Sequence, residues 1–364
     1  MLIAFPHTAE SVLKDIGEPS VERADIPSLD GLRAISIVLV LAGHAIPYAP
    51  RSFVFRALFL HADLGVRVFF VISGFLITSL LLNERTQSGS ISLGLFYMRR
   101  ALRILPAFFL FVGCVALLSI FGFTPVPAVV WLYVLTYTVN YSPMSVWVFG
   151  HLWSLSVEEQ FYLAWPLIMK SAGPRACAAV AILAILTSLV THAVHRLSGM
   201  PLSSYGFALR CGPIAMGCLL AMKARRVRSL IVSSKLLSDG RSLLLILLLI
   251  ALLDTIRTAA ALGVFLEIIT NSLLTLCVAR LVFIPTGVTG RVLNSAPFVL
   301  IGKLSYSLYL WQQLFLTSKA PISTPFPVNF VLIFAAASAS YWGLEVRFFR
   351  LRKKFRKAAA SCSV

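Results

Sequence analysis

The chain reads as an all-α, polytopic membrane protein of about ten transmembrane helices, and three features point there. Hydrophobic residues make up 59% of its 364 residues and charged residues only 13%, whereas a soluble domain is about a quarter charged. Its mean hydropathy is +0.88. Apolar runs long enough to cross a hydrocarbon core of about 30 Å recur from residue 32 to 346. Helices are the expected form, because each satisfies its own backbone hydrogen bonds in lipid. The length is therefore read as one membrane domain, 28–350, between a leader, 1–27, and a basic tail, 351–364.

The expected spans are 30–48, 64–83, 103–122, 151–170, 175–195, 205–223, 242–258, 261–283, 295–316 and 326–346. A further apolar stretch, 127–139, lies between Pro125/Pro127 and Asn140-Tyr141-Ser142-Pro143. It either spans or forms a re-entrant or interfacial segment, and the distribution of positive charge decides between the two. With a cytoplasmic amino terminus and no crossing at 127–139, 25 of the 32 Lys and Arg fall in or beside cytoplasmic segments. These include the cluster from Lys223 to Arg241 and the tail from Arg347 to Lys357. A crossing there would turn both clusters outward. Ten spans with both ends inside is the expected arrangement, and it makes both tails cytoplasmic.

The net charge of +18 then reads as contact with anionic lipid and cytoplasmic anchoring, with no nucleic-acid partner required. The six cysteines form no CxxC or His-rich pattern, so neither a metal site nor a disulfide framework is expected. The leader mixes Glu10, Asp15, Glu18, Glu22 and Asp25 with Lys14 and Arg23, unlike a cleavable signal peptide. No fixed-period repeat suggests an inverted-repeat transporter.

Within this frame a few polar residues stand out. On the first span Arg33 and His44 are eleven positions apart, which returns them to nearly one helix face about 16 Å apart along the axis. Such residues usually mark function in lipid, although both can also sit at the span's ends, Arg33 snorkelling to headgroups. Ser73, Gly74 and Phe75 on the second span suit close helix packing. Arg100 and Arg103 share a helix face and suit an anion such as phosphate, or simply anchor the cytoplasmic side. The fourth span carries His151, Trp153, Ser154, Glu158, Glu159 and Tyr162. Glu158 lies on the stripe of His151, Ser154 and Tyr162. Glu159 points elsewhere and needs a partner from another helix. Adjacent carboxylates inside an apolar helix are rarely tolerated without a role, so both are catalytic candidates with Arg33 and His44. A structural ion pair is the competing reading for each. Ser305, Tyr306 and Glu345 complete the set; the tyrosine suits an interfacial belt, and Glu345 has Arg347 close by. Glu267 is a lone intramembrane carboxylate without an evident role. Serine-hydrolase, P-loop and zincin motifs are absent from the sequence.

Taken together these stretches resemble the acyltransferase-3 family of membrane O-acyltransferases. The resemblance covers roughly 26–350 and rests on five segments in family order. They are Leu29-Asp30-Gly31-Leu32-Arg33 with His44, Phe69 to Leu76, Arg99 to Pro106, His151 to Tyr162, and Ser305 to Trp311. It implies ten core helices and transfer of an acyl group, usually acetyl, from cytoplasmic acyl-CoA to a hydroxyl of a surface polysaccharide, lipopolysaccharide or glycolipid. Acyl-CoA is then a co-substrate, no cofactor stays bound, and the location is the cell inner membrane. Arg33 and His44 match the family's Arg-ten-His motif, and Arg100 with Arg103 its RxxR motif. Many relatives place a histidine where this chain has Gln312, which puts a catalytic role for that position in doubt. The resemblance is to the stand-alone form, without a periplasmic esterase-like domain.

The chemistry so implied needs a base for the sugar hydroxyl and a countercharge for the oxyanion. His44 is the expected base, since imidazole titrates near neutrality, with a carboxylate, preferably Glu158, orienting it. Arg33, Arg100 and Arg103 are expected to hold the CoA phosphates. A transporter or flippase would also use intramembrane Glu, His and Arg and is the alternative.

The topology is open to a direct test. In a cysteine-free background, a single cysteine at Ser145 should react with a membrane-impermeant thiol reagent on intact cells, and one at Ser229 should not. Labelling at Ser229 alone would mean that 127–139 crosses the bilayer.

Overall fold

A computed structural model of the protein describes residues 28–45, 62–238, 240–259, 263–285, 287–316, 321–322 and 324–351. The leader 1–27 and the tail beyond 351 lie outside them. The described residues are predominantly helical, without a strand. Helices of seven residues or more are α1 (Leu29–His44), α2 (Ala62–Ser88), α3 (Leu93–Ile120), α4 (Ala128–Leu135), α5 (Leu152–Ser171) and α6 (Pro174–Ser198). After them come α7 (Gly212–Met222), α8 (Ala224–Ser233), α9 (Gly240–Ala259), α10 (Gly263–Phe283), α11 (Gly287–Leu293), α12 (Ala296–Trp311) and α13 (Val328–Ser340).

Each expected span overlaps a helix among the described residues. Five of the helices, with α13 continued to Leu351, are individually long and apolar enough to cross a membrane: α2, α3, α6, α10 and α13. By length and composition these helices make the chain a multi-pass membrane protein. Local chemistry sets the boundaries. Pro174 opens α6 at its first turn and Gly199, at φ 64°, closes it, as proline and glycine do at helix starts and ends. Segment 127–139 yields only the eight residues of α4, a rise of about 12 Å and less than half a hydrocarbon core.

Two expectations are corrected. Span 205–223 is interrupted: a five-residue turn, Gly206–Arg210, precedes α7, which starts at Gly212-Pro213. The arginines placed ahead of the third span lie inside α3, whose start at Leu93 is ten residues earlier than expected.

The core forms where helices approach backbone to backbone. A Cβ on Gly74 would lie 2.0 Å from the Ile214 carbonyl oxygen, and one on Gly217 2.2 Å from that of Val71. These reciprocal contacts seat α2 on α7, the most extensive helix pair of the bundle. A Cβ on Gly302 would meet the Asp30 carbonyl at 2.0 Å, locking α12 against α1. Gly74 is thus a packing residue, as its sequence context suggested, and Phe75 packs edge-on to Phe283 of α10.

Charge inside the bundle is paired. Arg67 of α2 is 4% exposed and binds Asp254 of α9, Asp63 one turn away at 3.0 Å, and the Asn271 side-chain oxygen of α10 at 3.1 Å. Glu267 lies 3.8 Å from Arg67 and accepts a 2.9 Å bond from Asn271. The carboxylate that looked solitary in the sequence therefore belongs to a network joining α2, α9 and α10.

On α13 the buried positions are Asn329, Ile333, Ala337 and Ser340, after which the next is Glu345. A step of five replaces the usual three or four because Tyr341–Glu345 forms a π-helical turn. The turn brings the Glu345 carboxylate inward, where Ser307 donates to it and Ser340 does so at 3.4 Å. The alternative in which Glu345 pairs with Arg347 is not realised.

Replacing Gly74 by leucine should lower the thermal midpoint of the detergent-solubilised protein, since overpacking costs about 1–3 kcal/mol or more. The same change at Gly113, whose Cβ would meet nothing within 4 Å, should leave the midpoint nearly unchanged.

Candidate active site

Five helices, α1, α2, α3, α5 and α12, surround a cavity. Three arginines line it, Arg33 from α1 and Arg100 and Arg103 from α3, together with Glu158 of α5. Ser73, Tyr162, Ser305, Tyr306, Ser154 and Tyr309 supply hydroxyls. Phe69, Phe70 and Leu76 belong to its apolar wall. The sequence motifs on five different helices thus converge on one site.

Its charges are arranged by the helices that bear them. Arg33 pairs with Asp30, one turn back, at 2.9 Å. Arg100 binds Glu159 at 3.2 Å and lies 3.4 Å above the centre of the Tyr162 ring, a cation–π contact. The pairing meets the requirement that Glu159 find a partner on another helix. Glu158, one position on and about 100° round α5, faces the cavity and accepts a hydrogen bond from Ser73. Tyr306 donates to the Ile104 carbonyl oxygen at 3.0 Å.

At the other end of α1 is a second polar group. His44 Nδ1 lies 2.9 Å from Gln312 Oε1, and the ring packs edge-on to Trp147 at 5.8 Å. His151 is 2% exposed, and its Nδ1 lies 2.8 Å from Gln313 Oε1. Between the two levels sits a pair of hydroxyls, Ser154 and Tyr309, 2.6 Å apart, with Tyr309 also donating to the His151 carbonyl oxygen at 2.6 Å. Both hydroxyl residues line the cavity; His44 does not.

This corrects the expected pairing of His44 with Glu158. Their side chains share no hydrogen bond: the partner of His44 is Gln312, and that of Glu158 is Ser73. The reason is height. Glu158 lies seven residues below His151, about 10 Å along α5, whereas His44 sits at the level of His151. Gln312, doubted as a functional position because it departs from the family's histidine, is the residue that contacts the expected base.

Sequence reasoning also passed over Tyr309, Gln313 and Arg210. The guanidinium of Arg210 lies 3.6 Å over the ring of Trp153, which packs edge-on to Phe70 in the cavity wall. Only the tandem glutamine at the end of an otherwise apolar span, Gln312-Gln313, was a visible signal of polar work at that depth.

A family model described as an acyltransferase domain matches residues 26–344. The chain belongs to the acyltransferase-3 family of membrane O-acyltransferases. Its relatives include the O-acetyltransferase OatA of Staphylococcus aureus (strain NCTC 8325 / PS 47), 29% identical over 92% of this chain and 58% of the relative. The putative peptidoglycan O-acetyltransferase YrhL of Bacillus subtilis (strain 168) is 29% identical over 82% of this chain and 49% of its own length. The peptidoglycan O-acetyltransferase OatA of Listeria monocytogenes is 27% identical over 82% and 51%. The chain therefore spans about half to three-fifths of the length of these relatives. No solved structure matches it.

Removing Arg100 leaves Glu159 without its partner. Arg100→Ala should destabilise the solubilised protein by on the order of 3 kcal/mol, and adding Glu159→Gln should recover much of that loss. An unaltered thermal midpoint in Arg100→Ala would show that the pair does not hold α3 to α5.

Proposed function

We propose that the protein is a membrane O-acetyltransferase that takes an acetyl group from cytoplasmic acetyl-CoA and delivers it to a carbohydrate hydroxyl presented from the other side of the inner membrane. The observation that carries this reading is the placement of three arginines and a histidine at two levels of one five-helix site. The relatives' names make a peptidoglycan-type glycan the first acceptor to test.

CoA carries phosphates at one end of a long, flexible arm and the thioester at the other. Arg33 and Arg103 suit the phosphates, because a guanidinium fork matches their geometry. Arg33 is paired with Asp30 and Arg100 with Glu159, and Arg100 also contributes positive potential and shapes the mouth. The arm would run along the apolar wall past Glu158 towards the Ser154–Tyr309 pair, covering much of the roughly 16 Å between Arg33 and His44. There the acceptor hydroxyl gives its proton to His44 as its oxygen attacks the thioester carbonyl. The tetrahedral intermediate collapses, the carbon–sulfur bond breaks, and the leaving thiolate takes the proton back from the imidazolium. The Ser154–Tyr309 pair lies nearby, and one of its hydroxyls would have to turn from its present partner to donate to the developing oxyanion. Glu158, held by Ser73, is a wall of the donor pocket rather than the orienter of His44.

Purified protein should transfer label from radioactive acetyl-CoA to a glycan acceptor. His44→Ala should lower the rate by about 10²–10⁴-fold, the contribution of a general base, with the protein still inserted and folded. Transfer by His44→Ala at the wild-type rate would remove His44 from the chemistry.

Arg103→Ala should act differently, raising KM for acetyl-CoA roughly tenfold to a hundredfold, the equivalent of one charge-assisted hydrogen bond, with kcat little changed. A fall in kcat at constant KM would place Arg103 in the transition state instead.

A further inference from the structure

We infer that Gln312 holds His44 as the tautomer protonated on Nδ1, leaving Nε2 as the atom that accepts the substrate's proton. This rests on the reading of His44 as the base and adds a positioning residue to it.

The inference follows from what each atom can do. A glutamine amide has one end that only accepts and one that only donates. Gln312 Nε2 lies 3.1 Å from the Tyr309 carbonyl oxygen, and a carbonyl accepts only, so this end must be the NH₂. The other end, Oε1, therefore faces His44 Nδ1 at 2.9 Å. An oxygen without a proton requires a donor there, so Nδ1 carries the hydrogen. A neutral imidazole has one N–H; its Nε2 is then bare. Flipping the amide would set two carbonyl oxygens face to face. Gln312 is 0% exposed, which leaves no room for water to repair that contact, and a buried unsatisfied acceptor costs about 1–3 kcal/mol.

The neighbouring pair has the same wiring and shows why only one histidine is placed to react. Gln313 Oε1 accepts from the backbone N–H of His151 at 3.1 Å, which identifies it as oxygen, and it lies 2.8 Å from His151 Nδ1. His151 is thus also protonated on Nδ1, but its Nε2 is buried without a partner. Among the described residues, His44 Nε2 has no hydrogen-bond partner, and it is not sealed in the same way. The tandem glutamines fix the two imidazoles in one tautomer.

A family histidine at position 312 could orient His44 only by adopting one of its own tautomers. An amide cannot titrate. Among the described residues, Trp147, Gln312 and the titratable His151 stand around His44, so replacing Gln312 by a carboxylate adds one charge there and removes the N–H that the Tyr309 carbonyl accepts.

Two measurements test this on the full-length protein. Nitrogen NMR of histidine-labelled protein in detergent, with His44 assigned by its loss in His44→Ala, should show Nδ1 protonated and Nε2 bare above neutral pH. The opposite assignment would overturn the inference and leave the base reading intact. In acetyl transfer, Gln312→Met should lower kcat by on the order of 10²-fold without raising KM for acetyl-CoA. Gln312→Glu should retain much of the rate and move the acid limb of the kcat profile up by about one pH unit or more, since a carboxylate at this distance favours the imidazolium. If His44→Ala is inactive while both Gln312 variants keep the wild-type kcat and pH profile, Gln312 does not position the base. If His44→Ala transfers normally, the base reading falls, and the NMR result alone decides the tautomer.

Discussion

Lipid offers a charged side chain neither water nor counter-ion, so carboxylates and guanidiniums inside this bundle are held by other residues of the chain. Arg67 ties α2 to α9 and α10 through Asp254 and Asn271, Arg100 ties α3 to α5 through Glu159, and hydroxyls hold Glu158 and Glu345. These links cross between helices that are distant in sequence. The need to pair charge thus selects which helices become neighbours, and the glycine contacts of α2 with α7 and of α1 with α12 let them close to backbone distance. The cavity exists because five helices so held cannot also fill the space between them.

The site has two levels because α1 bears its two polar residues three turns apart. The arginine level is open, charged and lined by hydroxyls. The histidine level is compact and wired by amides. Between them the Ser154–Tyr309 pair belongs to both, lining the cavity and bonding to the His151 carbonyl. The transfer proposed above, from a phosphate-rich donor to a sugar, would use one level for each reactant.

Much of this was legible in the sequence, and the reasons for success and failure differ by residue. The spans were readable because lipid imposes continuous apolar runs. Arg33, Arg100, Arg103, Ser73 and Glu158 were readable because polar residues in such runs are rare. Periodicity also separated Glu158 from Glu159 correctly: one faces the cavity and the other meets Arg100. What failed was depth. A helical wheel gives angle, not the level at which a neighbouring helix sits, so Glu158 was paired with His44 when it lies about two turns below. Gln312 was discounted because it departs from a motif, although an uncharged amide can orient an imidazole as well as a ring can. The start of α3, ten residues early, was obscured because the arginines there resemble a loop while their stems run along the helix.

The π turn on α13 shows how small a change in a gene can build part of such a site. Five residues occupy a turn that an α-helix makes with four, the equivalent of a single inserted codon. Before the turn, the buried stripe holds Asn329, Ile333, Ala337 and Ser340; without it, Leu344 would come next in phase and Glu345 would face outward. One additional residue thus exchanges a leucine for a carboxylate at the same depth while leaving both ends of the helix in register with the membrane. A lineage could acquire or discard this acidic group by insertion or deletion, without any substitution in the residues that contact it.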